Sequence, residues 1–160
     1  MARASLNDGQ SLLAVNDFFV GKQSHVSARY SIQIDGRQEN QSSSGIIVST
    51  GLGSSGWLKS VIAGARGVAE VITGGKITGE VNTPKWDSDF LYYSVREPFP
   101  SNTTGTSLVF GRVARSLQVT SQMPEGGVIF SDGIEQDYLQ FNSGIVAQIS
   151  VAAKKGYLVV

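Results

Sequence analysis

The 160-residue chain has no cysteine, which excludes disulfides and thiolate metal sites. Its one histidine, His25, excludes a multi-histidine metal centre. Charge is scarce: 16% of residues are charged, against about a quarter in ordinary chains. The 13 basic and 13 acidic residues cancel, which removes any broad electrostatic case for nucleic acid or an anionic membrane as partner. No apolar run approaches the ~20 residues that span a bilayer, and the first residues have no apolar core of the kind a secretory signal carries. These absences predict a soluble, cytoplasmic domain. Its uncharged polar surface suits either solvent or burial against a partner.

What is present is alternation. Val26, Ala28, Tyr30, Ile32 and Ile34 are interleaved with Ser27, Arg29, Ser31, Gln33 and Asp35, so the apolar set falls on one face of a half-buried strand. Asp35-Gly36 then reads as a hairpin turn. Ser11 to Val20 predicts an upstream strand, and Gly45 to Thr50 a short one covered on both faces. Further candidates run over Phe90 to Arg96, Ser107 to Arg112, Leu117 to Met123, Val128 to Ser131, Tyr138 to Phe141, Ile145 to Ala152 and Tyr157 to Val160, with turn signals between them. Thr73 to Ser88 reads as a loop. The pattern predicts one domain over residues 1–160, an antiparallel β-sandwich of about 9–10 short strands with one short helix. The first residues read as a strand in mid-course, as if the chain were a piece of a larger protein.

The period breaks at Ser49-Thr50-Gly51-Leu52-Gly53-Ser54-Ser55-Gly56-Trp57: a strand, a glycine-rich turn and a helix start. Ser54 and Ser55 offer N-cap chemistry, and Trp57, Val61, Ile62 and Ala65 recur at helical spacing, predicting a helix from about Ser54 to Ala65. A turn that opens a helix presents amides to a phosphate. On this reading Gly51 and Gly53 let a ligand approach the backbone, and Trp57 offers an aromatic plane. Gly51, Gly53 and Gly56 also match G-x-G-x-x-G, but that fingerprint needs a parallel βαβ unit, which the hairpin-linked strands before it do not supply. A P-loop needs a lysine directly after its last glycine, and Lys59 comes too late. A glycine-rich connector with no ligand, a packed Trp57 and a plain hairpin at Asp132-Gly133 remain open alternatives.

Taken together, Ala14-Val15-Asn16-Asp17, the run from Ser44-Gly45 to Trp57, and Phe130-Ser131-Asp132-Gly133 resemble NAD kinases. That family has an A-L-N-E or A-L-N-D segment, an acidic-Gly pair running into V-S-T-P-T-G-S-T-A-Y, and an Asp-Gly beginning a late strand. The S-T-G-x-G-S form with Trp is similar to the divergent branch that includes mitochondrial-type NAD kinases. The resemblance implies the C-terminal, NAD-holding β-sandwich of such an enzyme, within a homodimer or homotetramer. It implies that Asn16, Asp17, Ser54, Ser55, Gly56, Trp57 and Asp132 contact the substrate, with Gly51 and Gly53 in the phosphate-facing turn. Ser44 stands where the family has Asp, Gly51-Leu52 where it has Pro-Thr, and Trp57 where it has Tyr. The family's G-G-D-G-T is absent, so ATP, Mg²⁺ and phosphoryl transfer are expected only with an N-terminal α/β domain that this chain lacks. The alternatives are a non-catalytic nucleotide-binding or assembly module, and the C-terminal domain of a lipid or sphingoid-base kinase relative.

Overall fold

A computed structural model of the chain describes residues 1–79 and 84–156. The described strands, in chain order, are β1 Ala2–Leu6, β2 Ser11–Ala14, β3 Asp17–Lys22, β4 Ala28–Ile34, β5 Arg37–Ser43, β6 Ile46–Ser49, β7 Leu91–Val95, β8 Phe110–Val113, β9 Leu117–Ser121, β10 Gly127–Ser131, β11 Tyr138–Gln140 and β12 Val146–Val151. They form two antiparallel six-stranded sheets, ordered β2-β1-β12-β9-β4-β5 and β11-β10-β3-β6-β7-β8. This is the antiparallel sandwich that the alternation predicts.

Register follows from burial. Opposite each other stand Phe18 and Val48, and Val20 and Ile46; all four are fully buried. In the other sheet, Tyr30, Ile32, Val119 and Ile149 face them from the inner side of the same core. Slipping either sheet by one residue would turn every one of these side chains to the outside. The outer face of the first sheet explains the scarcity of charge. Gln148 stands opposite Gln118, and Gln118 opposite Gln33. Their amides bond in a row, Gln148 Nε2 to Gln118 Oε1 at 2.7 Å and Gln118 Nε2 to Gln33 Oε1 at 3.2 Å. Side-chain amides here satisfy each other across strands, where charged pairs serve in other sheets.

One strand goes unread in the sequence and two expectations are corrected. The strand β5 has no apolar residue and no alternation; it is an edge strand whose inward Gln41 and Ser43 bond the buried Tyr30 hydroxyl at 3.1 and 2.7 Å. The stretch from Ser11 to Val20 is two strands in different sheets, parted at Val15–Asn16. The helix, α1, runs from Trp57 to Thr73 after a single 3₁₀ turn at Gly53–Ser55, and stops at Gly74 in the left-handed conformation (φ 68°), a conformation that costs glycine nothing. Gly64 and Gly67 lie inside this helix, where glycine is a poor former. The Tyr157 to Val160 strand lies outside the described residues, as do residues 80–83 of the Thr73 to Ser88 loop. Among the described residues no helix is long and apolar enough to cross a membrane.

Candidate functional site

The break between β2 and β3 is the first element of the site. Its strands belong to different sheets, so the backbone must turn at Val15–Asn16 and leave its amides unpaired by either ladder. Asp132 supplies the missing acceptor. One of its carboxylate oxygens takes the Asn16 amide at 2.6 Å and the Asp17 amide at 3.3 Å; the other takes the Val15 amide at 2.9 Å. Asp132 itself sits at φ 55° beside Gly133 at φ 74°, a left-handed pair that Asp tolerates better than most residues. The two form a tight turn, closed by the Ile134 amide on the Ser131 carbonyl at 2.9 Å, at the start of a longer connection from β10 to β11 and not a plain hairpin, and both line the cavity described below.

Thr50 fastens the second element to the first. Its amide donates to the Asn16 carbonyl at 2.8 Å and its hydroxyl to the Val15 carbonyl at 2.7 Å, while the Gly53 amide donates back to that hydroxyl at 3.2 Å. Thr50 belongs to the S-T-G-x-G-S run, but nothing in the sequence points to this fastening role. The glycines that follow have a different purpose from the one expected. A Cβ on Gly51 would lie 1.9 Å from the Lys85 carbonyl oxygen, and one on Gly53 would lie 2.1 Å from the Asn16 carbonyl oxygen. Both glycines admit the protein's own main chain. Two more turn amides are bonded within the protein: Ser54 donates to the Gly51 carbonyl and Gly56 to the Gly53 carbonyl. Ser54 is buried, its hydroxyl bonded to the Gly51 carbonyl at 2.7 Å, and no side chain caps α1. The turn is a packed joint that presents the start of the helix.

What the joint presents is a cavity of about 340 Å³, lined by Asn16, Asp17, Leu52, Gly53, Ser55, Gly56, Trp57, Asp132 and Gly133. Residues from three separate parts of the chain meet there. Of the predicted site residues, Ser54 and Gly51 alone stand behind it. Asp17 is 8% exposed, and among the described residues no donor bonds its carboxylate. Burial first, and then the charge of Asp132, push the Asp17 carboxyl above its usual range. A carboxylate short of partners accepts hydroxyl hydrogens readily. With two carboxylates on its wall, the cavity suits a hydroxylated, ring-bearing ligand and disfavours a bare phosphate.

Trp57 closes one side. Its ring stacks on Phe19, with centroids 5.9 Å apart and planes at 10°, and Phe19 stacks in turn on Phe130 at 5.0 Å. The Arg96 guanidinium lies over the Trp57 ring, 5.6 Å from its centroid. The two phenylalanines escape sequence reasoning because their outward stacking depends on strand register.

Against this geometry, comparison with known proteins is informative only at the level of structure. No protein-family model matches the sequence, and no curated protein matches it significantly. An NAD kinase from Archaeoglobus fulgidus, solved in complex with ATP, superposes with a TM-score of 0.59 at 19% identity, covering 96% of this chain and 51% of the other. Yeast NADH kinase complexed with NADH superposes with a TM-score of 0.60 at 15% identity, covering 93% of this chain and 39% of the other. At these identities the likeness is one of fold. This chain spans about half of the first enzyme and two fifths of the second, and its fold is that of a part of the NAD and NADH kinases, as the resemblance implied.

Proposed function

We propose that this chain is the dinucleotide-binding domain of an NAD kinase-like phosphotransferase, and that it binds NAD without catalysing by itself. The observation that carries the reading is the cavity into which Asn16, Asp17, Ser55, Gly56 and Trp57 converge from separate segments. In it the Asp17 carboxylate accepts ribose hydroxyls, the Asn16 carboxamide and Ser55 hydroxyl fix orientation, and Trp57 lies against a ring. Asp132 and Thr50 act at one remove, holding Asn16 and Asp17 in place. Two carboxylates, Asp17 and Asp132, stand on the wall, which weighs against the lipid-kinase alternative, since an acyl chain needs an apolar slot.

In the full-length protein the γ-phosphoryl of ATP passes to the 2′-hydroxyl of NAD, giving NADP. The groups that hold ATP and neutralise its phosphates belong to a segment outside this chain. Among the described residues there is no group of three or more His, Cys, Asp or Glu side chains suited to a metal ion, so no residue here is assigned to Mg²⁺. This chain's contribution is positioning, which lowers a phosphoryl-transfer barrier as surely as chemistry does. The helix supports an added role in assembly as a homodimer or homotetramer. Val68, Val71 and Ile72 are 62%, 83% and 78% exposed, more apolar surface on one helix than solvent favours.

Calorimetric titration with NAD, NADP and ATP tests the reading: NAD is expected to bind and ATP alone is not. Asp17→Asn separates site from scaffold. Loss of a charged hydrogen bond is expected to weaken NAD roughly tenfold to hundredfold. Stability moves the other way. A carboxyl whose pKa is raised on folding holds its proton more tightly in the folded state, so the fold gains stability as pH falls and is penalised above the raised value. The variant therefore melts higher than the parent at neutral pH, and the gap closes as pH drops toward the unfolded value of 3.8. A variant that binds NAD like the parent and melts lower at neutral pH would show Asp17 to be scaffold.

A further inference from the structure

The connection from β7 to β8 runs along β5, the last strand of the first sheet, and is pinned there at three places. The Phe99 amide donates to the Ser42 carbonyl at 2.8 Å and the Gly105 amide to the Asn40 carbonyl at 3.0 Å. The Glu39 carboxylate takes the Ser107 amide at 3.0 Å and the Leu108 amide at 3.2 Å. Pro98 and Pro100 flank the first anchor and fix its backbone. An edge strand with no apolar residue thereby gains a cover. Between the first two anchors the chain closes on itself: the Ser101 amide donates to the Thr104 carbonyl at 3.1 Å, and the Thr104 hydroxyl to the Phe99 carbonyl at 2.8 Å.

Between this closed turn and the sheet lies a cavity of about 240 Å³, lined by Arg29, Asn40, Ser42, Phe99 and Thr103 among others, and no lining residue is acidic. Arg29 is the one charged side chain on the outer face of β12, β9, β4 and β5, where amides and hydroxyls otherwise prevail. Among the described residues its guanidinium has neither a carboxylate nor any other acceptor. The Asn40 carboxamide oxygen takes the Gln122 side-chain amide at 3.1 Å, which leaves the Asn40 N–H pair to donate elsewhere. The Ser42 hydroxyl is likewise uncommitted. A planar fork of N–H groups beside neutral donors matches an oxyanion. Size decides how much of a ligand fits: the cavity is smaller than the roughly 300–1,000 Å³ of sites that enclose a drug-sized molecule. It suits a single group.

We propose that this cavity holds one phosphate group, free or at the end of a small molecule, with Arg29 as its principal ligand and Asn40 and Ser42 as neutral donors. Strands β4 and β5 and the β7–β8 connection all contribute to the wall, so the bound ion fastens the connection to the sheet edge. The site belongs to the other sheet from Asp17 and stands whether or not the dinucleotide reading does.

Inorganic phosphate is the probe, followed by NMR of the isotope-labelled chain. Shifts should saturate and concentrate at the Arg29 side chain, the Asn40 carboxamide and the amides of Ser42, Ser101 and Thr103. Arg29→Gln should weaken phosphate by about tenfold or more. Arg29→Lys keeps the charge but loses the fork, and should fall between that variant and the parent. Arg29 is exposed, so neither change disturbs the core. Arg3, exposed on the same face of β1, is the control: Arg3→Gln removes an equal charge and should leave phosphate binding unchanged. Glycerol phosphate separates the two sources. Binding no tighter than that of phosphate supports the free ion, and tighter binding a phosphate carried on a small molecule. The proposal is overturned if phosphate gives no saturable shift at tens of millimolar, if Arg29→Gln binds it like the parent, or if Arg3→Gln weakens it as much as Arg29→Gln does. Shifts confined to Asn16, Ser55 and Gly56 would likewise overturn it, by placing the ion at the start of the helix.

Discussion

Gly53→Ala is expected to unfold the joint on which the proposed dinucleotide site rests. The new methyl would stand 2.1 Å from the Asn16 carbonyl oxygen and 2.6 Å from its carbon. These are backbone atoms, and no rotamer change moves them aside. Asn16 itself is clamped, its carbonyl bonded by Thr50 and its amide by Asp132. Relief therefore needs a main-chain shift that breaks one of those bonds. Overpacking of this kind costs about 3 kcal/mol, which for a domain of this size is roughly ten degrees of melting temperature. NAD binding should be lost even where the fold survives, because the same shift displaces Asn16 and Asp17. Gly64→Ala is the matched control. A Cβ there meets nothing within 4 Å, and removing a glycine from a helix interior should stabilise by about 1 kcal/mol. Thermal melts of the two variants side by side check the argument. Equal melting temperatures for Gly53→Ala and the parent would mean that the close approach to Asn16 does not exist in solution.

The second large effect is at Asp132. Its carboxylate is the acceptor for three consecutive amides, so Asp132→Ala leaves the Val15–Asp17 turn without its cap. Water reaches Val15 and Asn16, which are exposed, but not the buried Asp17, and the net loss should be about 2–3 kcal/mol. Asp132→Asn keeps one acceptor oxygen and should recover part of it. A readout beyond stability distinguishes this positioning role. Because the charge of Asp132 is the second cause, after burial, of the raised Asp17 pKa, the Asp17 carboxyl should titrate lower in Asp132→Asn than in the parent. NMR titration of the Asp17 side chain measures this. An unchanged Asp17 pKa in the variant would mean that the two carboxylates do not sense each other.

How much of this is legible in the sequence depends on what kind of interaction makes each part. The strands around Tyr30, Ile32 and Ile34 are read at once, because burial on one face writes a period of two into the residues themselves. The strand Arg37–Ser43 leaves no such trace: it sits at a sheet edge and pays its way into the core through hydrogen bonds from Gln41 and Ser43. The helix beyond Ala65 is hidden by Gly64 and Gly67, and its true stop, Gly74, is one glycine among several. Gly51 and Gly53 teach a sharper lesson. A glycine announces that something comes close to the backbone, but not whether that thing is a nucleotide or another stretch of the same chain. Here it is the carbonyls of Lys85 and Asn16. Asn16, Asp17, Ser55, Gly56, Trp57 and Asp132 do meet around one cavity, yet the reason Asp132 is there, three amides left over where the chain passes between sheets, belongs to topology and not to any motif.

The account stands on NAD occupying the acidic cavity between the Val15–Asp17 turn and the start of the helix. Amide NMR of the isotope-labelled chain during an NAD titration tests this most directly. Shifts should concentrate at Asn16, Asp17, Ser55, Gly56, Gly133 and the Trp57 indole, and should shrink in Asp17→Asn. Shifts confined to Lys22, His25, Ser44 and Arg96, or none at all at millimolar NAD, would contradict it.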